Sequence, residues 1–206
     1  MIGFYNYTVI LTYIGTIFGF VGITYTWNDK PGMALVCLMV AGFCDMFDGK
    51  IASTMKRTKQ EKRFGIQIDS LSDLICFGVL PALTVLKMTD REMLFYAISA
   101  MYVLCALIRL AWFNVDEEER QDREDSGRAL YLGLPVTTSA LILPFVSGCC
   151  NLLSISAGKV MPWALLLVAI GFITPFSIKK PGKVGKILMV LAGIAILAVV
   201  MIGVRI

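Results

Sequence analysis

The sequence predicts an all-α integral membrane protein, a bundle of about six core transmembrane helices with an additional C-terminal helix. Three observations predict it. First, 57% of the 206 residues are hydrophobic, and the mean hydropathy is +0.76, beyond the usual range of soluble domains. Second, apolar runs of roughly 20 residues, the length that crosses a bilayer, recur. They lie near 4–27, 32–54, 65–88, 92–114, 130–150, 159–178 and 184–204. Third, the basic residues sit between these runs and are unequally shared. Alternate loops hold Lys56, Arg57, Lys59, Lys62, Arg63, Arg120, Arg123, Arg128, Lys179, Lys180, Lys183 and Lys186. The opposite loops and the C-terminus hold only Lys30, Lys87, Arg91, Lys159 and Arg205, with Lys50 and Arg109 inside runs. The positive-inside rule then places the N-terminus and the first set in the cytoplasm of a multi-pass protein of the cell membrane.

Each run has a reading of its own. The opening MIGFYNYTVILTYIG lacks a basic n-region and is apolar for too long to be a secretory leader, so it reads as the first span. Asn6 and Thr8 fall at its cytoplasmic end. The second run closes on CDMFDGKIAS (44–53), and the third opens on GIQIDSLSD (65–73). The fourth embeds Arg109 and leads into NVDEEERQDREDSGR (114–128), which reads as a solvated connector or as a flap over a cytoplasmic site. Pro81, Pro135 and Pro175 are helix kinks shaping a cleft, or ordinary loop residues. Trp27 and Trp163 at run ends are interfacial anchors. KKPGK (179–183) is a turn, and the last run, without a polar residue after Lys186, anchors or packs. The whole is one domain, 1–206, with a core of about 5–180 and an extra span of about 184–204.

The chain has no histidine, and its six cysteines (37, 44, 76, 105, 149, 150) show no paired CxxC spacing. Zinc, haem and Cys/His nucleophilic chemistry lose their usual ligands, and the cysteines read as small buried hydrophobes. What remains is acidic. Positions i, i+3, i+4 and i+7 share a helix face, so Asp45, Asp48, Gly49 and Ala52 form one stripe. Gly65, Asp69 and Asp73 form another. Two antiparallel neighbours can turn these edges toward each other, bringing four carboxylates beside residues with almost no side chain.

Such acids can merely cap helices or pair with bases. An ionisable group within a span costs at least about 2.5–3.5 kcal/mol on insertion scales, and only Lys50 and Arg109 are embedded to offset four acids. A bound cation resolves the mismatch better. All-oxygen ligation favours a hard ion, Mg²⁺ or Mn²⁺, and four carboxylates suit a two-metal site whose open positions hold substrate phosphates. A cation or proton transporter could also use four acids. Transporters commonly repeat such a set in paired halves, and no second acidic set occurs here.

The residues themselves resemble a known signature. D45-M-F-D48-G49-K-I-A52 followed by G65-I-Q-I-D69-S-L-S-D73 is similar to the DxxDGxxAR and GxxxDxxxD pattern of the CDP-alcohol phosphotransferase family. DSLSDLICFGVLPA (69–82), IRLAWFNV (108–115) and YLGLPVTTSA (131–140) resemble segments of its membrane-embedded phosphatidylserine synthases. The likeness covers roughly residues 5–180. It departs at Ser53, where the family has Arg, at the longer interval from Ser53 to Gly65, and at Trp112, where many such synthases have a second Arg. Arg57, one turn beyond Ser53, is a candidate substitute.

The resemblance implies that Asp45, Asp48, Asp69 and Asp73 bind two divalent cations, Mg²⁺ or Mn²⁺, which grip the diphosphate of CDP-diacylglycerol, with Asp73 also the general base. It implies a nucleotide site at Asn6, Thr8, Gly49, Ala52, Ser53, Lys62 and Gly65. Arg57, Arg63 and Arg109 are implied contacts of a lipid phosphate or of the serine carboxylate. On the residues alone, Lys62 and Arg63 equally serve topology and anionic-lipid attraction, and Arg109 equally snorkels or pairs with the acidic loop. The implied reaction joins the phosphatidyl group to L-serine and releases CMP. Glycerol 3-phosphate or an inositol phosphate are alternative acceptors. Membrane lipids and a second copy in a homodimer are implied partners, and no nucleic acid is expected.

Overall fold

In hydrocarbon every backbone amide and carbonyl must be paired within the protein, and apolar runs of about 20 residues, about twice the length of a spanning strand, meet that demand as helices. The computed structural model describes residues 3–90, 92–122, 130–179 and 182–204. A 3-10 turn, Tyr7–Val9, enters α1 (Ile10–Trp27), and α2 follows at Pro31–Ala52 with Pro31 in its first turn, where a missing amide proton is harmless. The start of α3 (Lys59–Asp73) is fixed by a capping box. The Glu61 amide donates to Thr58 Oγ1 at 3.2 Å, and the Thr58 amide donates to Glu61 Oε2 at 2.8 Å. Through a π-helical turn, Leu74–Val79, α3 continues into α4 (Leu80–Met88) as one rod. Then come α5 (Met93–Asp122), β1 (Leu130–Leu132), a 3-10 turn at Val136–Thr138, α6 (Ser139–Leu152), α7 (Ala157–Ile173), β2 (Ser177–Lys179) and α8 (Lys183–Val204).

Among the described residues four helical rods, Tyr7–Trp27, Pro31–Ala52, Lys59–Met88 and Met93–Glu119, are long and apolar enough to cross a membrane. Val136–Leu152, Ala157–Ile173 and Leu188–Ile202 are shorter apolar helices. The outside is as oily as the inside: Phe20 is 65% and Leu167 70% exposed, with Ile17, Leu104 and Leu191 also bare. Water would not tolerate such a surface, and lipid does. Within, Leu35 and Leu38 of α2, Leu80 of α4, Tyr102 of α5, Leu143 of α6 and Leu165 of α7 are fully buried.

A stripe of small residues sets α1 against its neighbours. A Cβ on Gly19 would overlap Cys76, and one on Gly22 would lie 2.8 Å from a Leu80 methyl and 3.0 Å from Cys37 Cβ. Close backbone approach of this kind stands in for hydrophobic driving force between helices in lipid. It brings α1 onto both α2 and the α3–α4 rod, and so encloses the acidic edges.

Three boundaries differ from the sequence reading. The fourth helix does not stop near 114 but runs to Asp122, because Glu-rich sequence favours helix once solvated. The remainder of the expected connector, with Arg123 and Arg128, lies outside the described residues, as do Arg91, Lys180, Pro181 and Arg205. The fifth helix begins only at 136–139, since Gly133 turns the chain at φ +72° and Pro135 is extended ahead of the 3-10 turn. The sixth ends at Ile173, not 178: Pro175 biases Thr174 to extended backbone (φ −78°, ψ 124°). The freed segments pair antiparallel, Leu130 with Lys179, Tyr131 with Ile178 and Leu132 with Ser177. Among the described residues this short ribbon is the local exception to the helices.

Candidate active site

Asp45 and Asp48 stand on the last turns of α2, and Asp69 and Asp73 on the last turns of α3. One carboxylate oxygen from each of Asp45, Asp48 and Asp69 lies within 4.8 Å of the other two, and the Asp48 and Asp69 carboxyls are in hydrogen-bonding reach of each other. Asp73 is not one of this trio. It is 9% exposed and lines the same narrow pocket. The acidic edges predicted from helical spacing therefore do face each other. Among the described residues no lysine or arginine is ion-paired with any of the four; Lys87 instead pairs with Asp29, at 2.9 Å.

The third wall of the pocket is α1, through residues that the sequence reading does not single out. Leu11, Thr12 and Gly15 line it. Thr12 Oγ1 donates to Asp48 Oδ2 at 3.3 Å. Thr16 and Ser72 share a hydrogen bond of 2.7 Å, and Ser72 Oγ donates to the Thr12 carbonyl at 3.4 Å. These bonds fasten α3 to α1 directly beside the acids. The available signal was the spacing of Thr8, Thr12 and Thr16, one polar line along an apolar span.

The donor set fits a hard divalent ion. Opposite oxygens around octahedral Mg²⁺ are about 4.2 Å apart, twice the bond length, so oxygens spanning 4.8 Å close on an ion by small side-chain adjustments. Three carboxylates packed together without cationic neighbours need a cation or protons between them. Cys44 and Cys76 border the pocket, but the Cys76 thiol is turned to the Gly15 carbonyl at 3.3 Å.

The other predicted residues sit nearer the helix ends. Gly49 has nothing within 4 Å of where a Cβ would project, which leaves open space beside Asp48. Ala52 ends α2, and Ser53 follows with its hydroxyl on the Lys50 carbonyl at 2.7 Å. Arg57 reaches over Gly65: a Cβ there would lie 3.1 Å from Arg57 Nη1. Lys62 and Arg63 are exposed on the first turns of α3. Asn6 donates to Glu61 Oε1 at 3.2 Å and accepts from the Thr8 amide at 3.2 Å, tying the N-terminal segment to α3. Ser70 turns away from the pocket and donates to Asn114 of α5. Arg109, 8% exposed, donates from Nε to the Leu134 carbonyl at 3.4 Å and lies over the Phe113 ring at 5.9 Å. It thus braces the loop of Gly133.

Residues 5–175 match the family model of CDP-alcohol phosphatidyltransferases, and that stretch contains every residue of the acidic pocket. The chain belongs to the CDP-alcohol phosphatidyltransferase family. Among curated relatives, a CDP-diacylglycerol–serine O-phosphatidyltransferase of Saccharomyces cerevisiae is 33% identical over 126 residues, 59% of this chain and 45% of that protein. One from Helicobacter pylori is 28% identical over 141 residues, 68% of this chain and 56% of the other. An archaetidylserine synthase of Methanothermobacter thermautotrophicus is 26% identical over 175 residues, 84% of this chain and 68% of the other. The chain spans about half the length of the CDP-diacylglycerol–serine O-phosphatidyltransferases it matches. The two motifs that resemble the family's signature lie on α2, with Asp45 and Asp48, and on α3, with Asp69 and Asp73.

Proposed function

We propose that this chain is a phosphatidylserine synthase, transferring the phosphatidyl group of CDP-diacylglycerol to the hydroxyl of L-serine with release of CMP. One observation carries the reading: two helices of a CDP-alcohol phosphatidyltransferase aim three carboxylates at a common point within 4.8 Å, in a pocket that a fourth also lines. Serine is favoured because it is the headgroup named in both sets of relatives, whose lipid portions differ.

In this reading Asp45, Asp48, Asp69 and Asp73 hold two divalent cations, Mg²⁺ or Mn²⁺. When bound, these neutralise charge on the diphosphate as CMP departs. The chain does the rest. The open flank at Gly49, with Ala52 and Gly65, admits the nucleotide against the helix backbones, and Asn6, Thr8, Ser53 and Lys62 border it. Arg57 and Arg63 offer guanidinium groups to phosphate oxygens, and Arg109 offers one to the lipid phosphate or the serine carboxylate. Asp73 takes the proton of the serine hydroxyl as its oxygen attacks the lipid-side phosphorus. The bond from that phosphorus to the CMP oxygen breaks, and CMP leaves with the electron pair. The enzyme works as a homodimer in the cell membrane with this pocket facing the cytoplasm.

The test is incubation of the purified full chain in lipid nanodiscs with CDP-diacylglycerol, Mn²⁺ or Mg²⁺ and labelled serine, with glycerol 3-phosphate and an inositol phosphate in parallel. Metal-dependent lipid product from serine alone is expected. Product from a different alcohol alone replaces the acceptor, and product from none defeats the proposal.

A further inference from the structure

A π-helical turn is rare inside an α-helix, and the one at Leu74–Val79 starts on the residue after Asp73. Its cause is readable. In an α-helix the Phe77 carbonyl would accept from the amide four residues on, but that residue is Pro81, which has no amide proton and whose ring crowds the same carbonyl. The ladder widens instead, and the Leu80 amide reaches back five residues to the Ile75 carbonyl. Phe77 finds its donor elsewhere: the Tyr102 hydroxyl, from α5, donates to its carbonyl at 2.7 Å. Phe77 is 1% and Tyr102 0% exposed, so water cannot serve that carbonyl in its place.

The turn has a geometric consequence for the acids. Each α-helical residue advances the chain by about 100°, so one residue added to a turn rotates everything beyond it by roughly that angle. With that phase, Asp69 and Asp73 look into the pocket while Leu80, Pro81, Thr84 and Val85 of the same rod are buried. A rod kept in α-helical register would have to give up one face or the other.

We infer that Tyr102 is a positioning residue of the acidic site: its hydroxyl secures the Phe77 carbonyl and thereby locks the π-turn that aims Asp69 and Asp73. Tyr102 touches none of the four acids and acts only through the backbone. The inference rests on the phosphatidyltransferase reading for its activity readout, whereas its metal-binding readout stands apart from turnover.

Tyr102→Phe removes the hydroxyl and keeps the ring against Phe172, whose centroid is 5.3 Å away. In the full chain in nanodiscs, Mn²⁺ binding is titrated by electron paramagnetic resonance alongside kinetics and thermal unfolding. The variant is expected to weaken Mn²⁺ binding about fivefold and to lower kcat about tenfold with the donor KM within about twofold, as for misaligned groups in a folded site. Pro81→Ala supplies an amide that can donate to Phe77, so adding Tyr102→Phe to it should change neither quantity by more than about twofold. Loss of thermal stability with Mn²⁺ affinity and kcat unchanged would overturn the inference, and so would an undiminished effect of Tyr102→Phe in the Pro81→Ala chain. A wild-type chain that neither binds Mn²⁺ nor turns over defeats the functional reading and this inference together, whereas a competent wild type with an indifferent Tyr102→Phe defeats the inference alone.

Discussion

Replacing Asp69 by Asn should make the metal-free protein more stable while removing its activity. At an effective dielectric constant of about 20, two unit charges at the 4.8 Å limit of the trio repel by about 3.5 kcal/mol. Asp69 faces two such neighbours, Asp45 and Asp48. Counterions and bound protons relieve much of this in the wild type, so a net gain of about 1–2 kcal/mol is expected on neutralising it. For a chain of this size that raises the metal-free Tm by roughly 2–8 °C. The metal response should reverse the order. An ion present at a hundredfold its Kd stabilises the wild type by about 2.7 kcal/mol, and the variant, lacking one of three clustered ligands, should gain little. The assay is thermal unfolding of both chains with EDTA and with Mn²⁺, beside serine transfer. If the variant is less stable than wild type in EDTA and keeps the Mn²⁺ shift, the acids are structural partners and the metal site is refuted.

Other substitutions separate the remaining roles. Asp73→Asn should abolish turnover in a folded chain that retains part of its Mn²⁺-induced Tm shift, because Asp73 lies outside the closest trio; surviving turnover removes it as the base. Gly22→Ala should lower stability by about 1–3 kcal/mol, since its Cβ would meet Leu80 at 2.8 Å and Cys37 at 3.0 Å. Gly49→Ala has open space and a better helix former, so thermal unfolding should rise slightly while KM for CDP-diacylglycerol rises severalfold. An unchanged KM there would take the nucleotide away from α2. Arg57→Ala should raise the same KM about tenfold through loss of a charge-assisted contact, and Ser53→Arg in that background should recover most of it; a flat KM across the series would mean that the guanidinium over Gly65 is not a phosphate ligand.

The acidic edges were legible in the sequence because two physical rules act on them together. Helical periodicity fixes which residues share a face, and the expense of ionisable groups in apolar runs forces them toward a common partner, so Asp45, Asp48 and Asp69 meet as the spacing required. The helix ends were less legible where capping chemistry competes with hydrophobicity. Residues 130–135 and 174–178 are apolar enough to read as spans, yet Gly133 and Pro175 divert them into a ribbon. Thr12 gives no clear signal of its own, because a threonine in an apolar span usually bonds its own backbone, as Thr16 does to the Thr12 carbonyl at 2.8 Å. Only the fold shows that Thr12 instead reaches Asp48.

The π-turn marks a different kind of limit. Pro81 stands plainly in the sequence, and a proline there announces an orphaned carbonyl at Phe77. How that carbonyl is satisfied is decided by the Tyr102 hydroxyl, 25 positions away on another helix. A kink, a buried water or a widened turn would each have answered the same local defect, and each would aim Asp73 differently. The carboxylates are thus written into two short motifs, but their aim depends on a partner that no local pattern names.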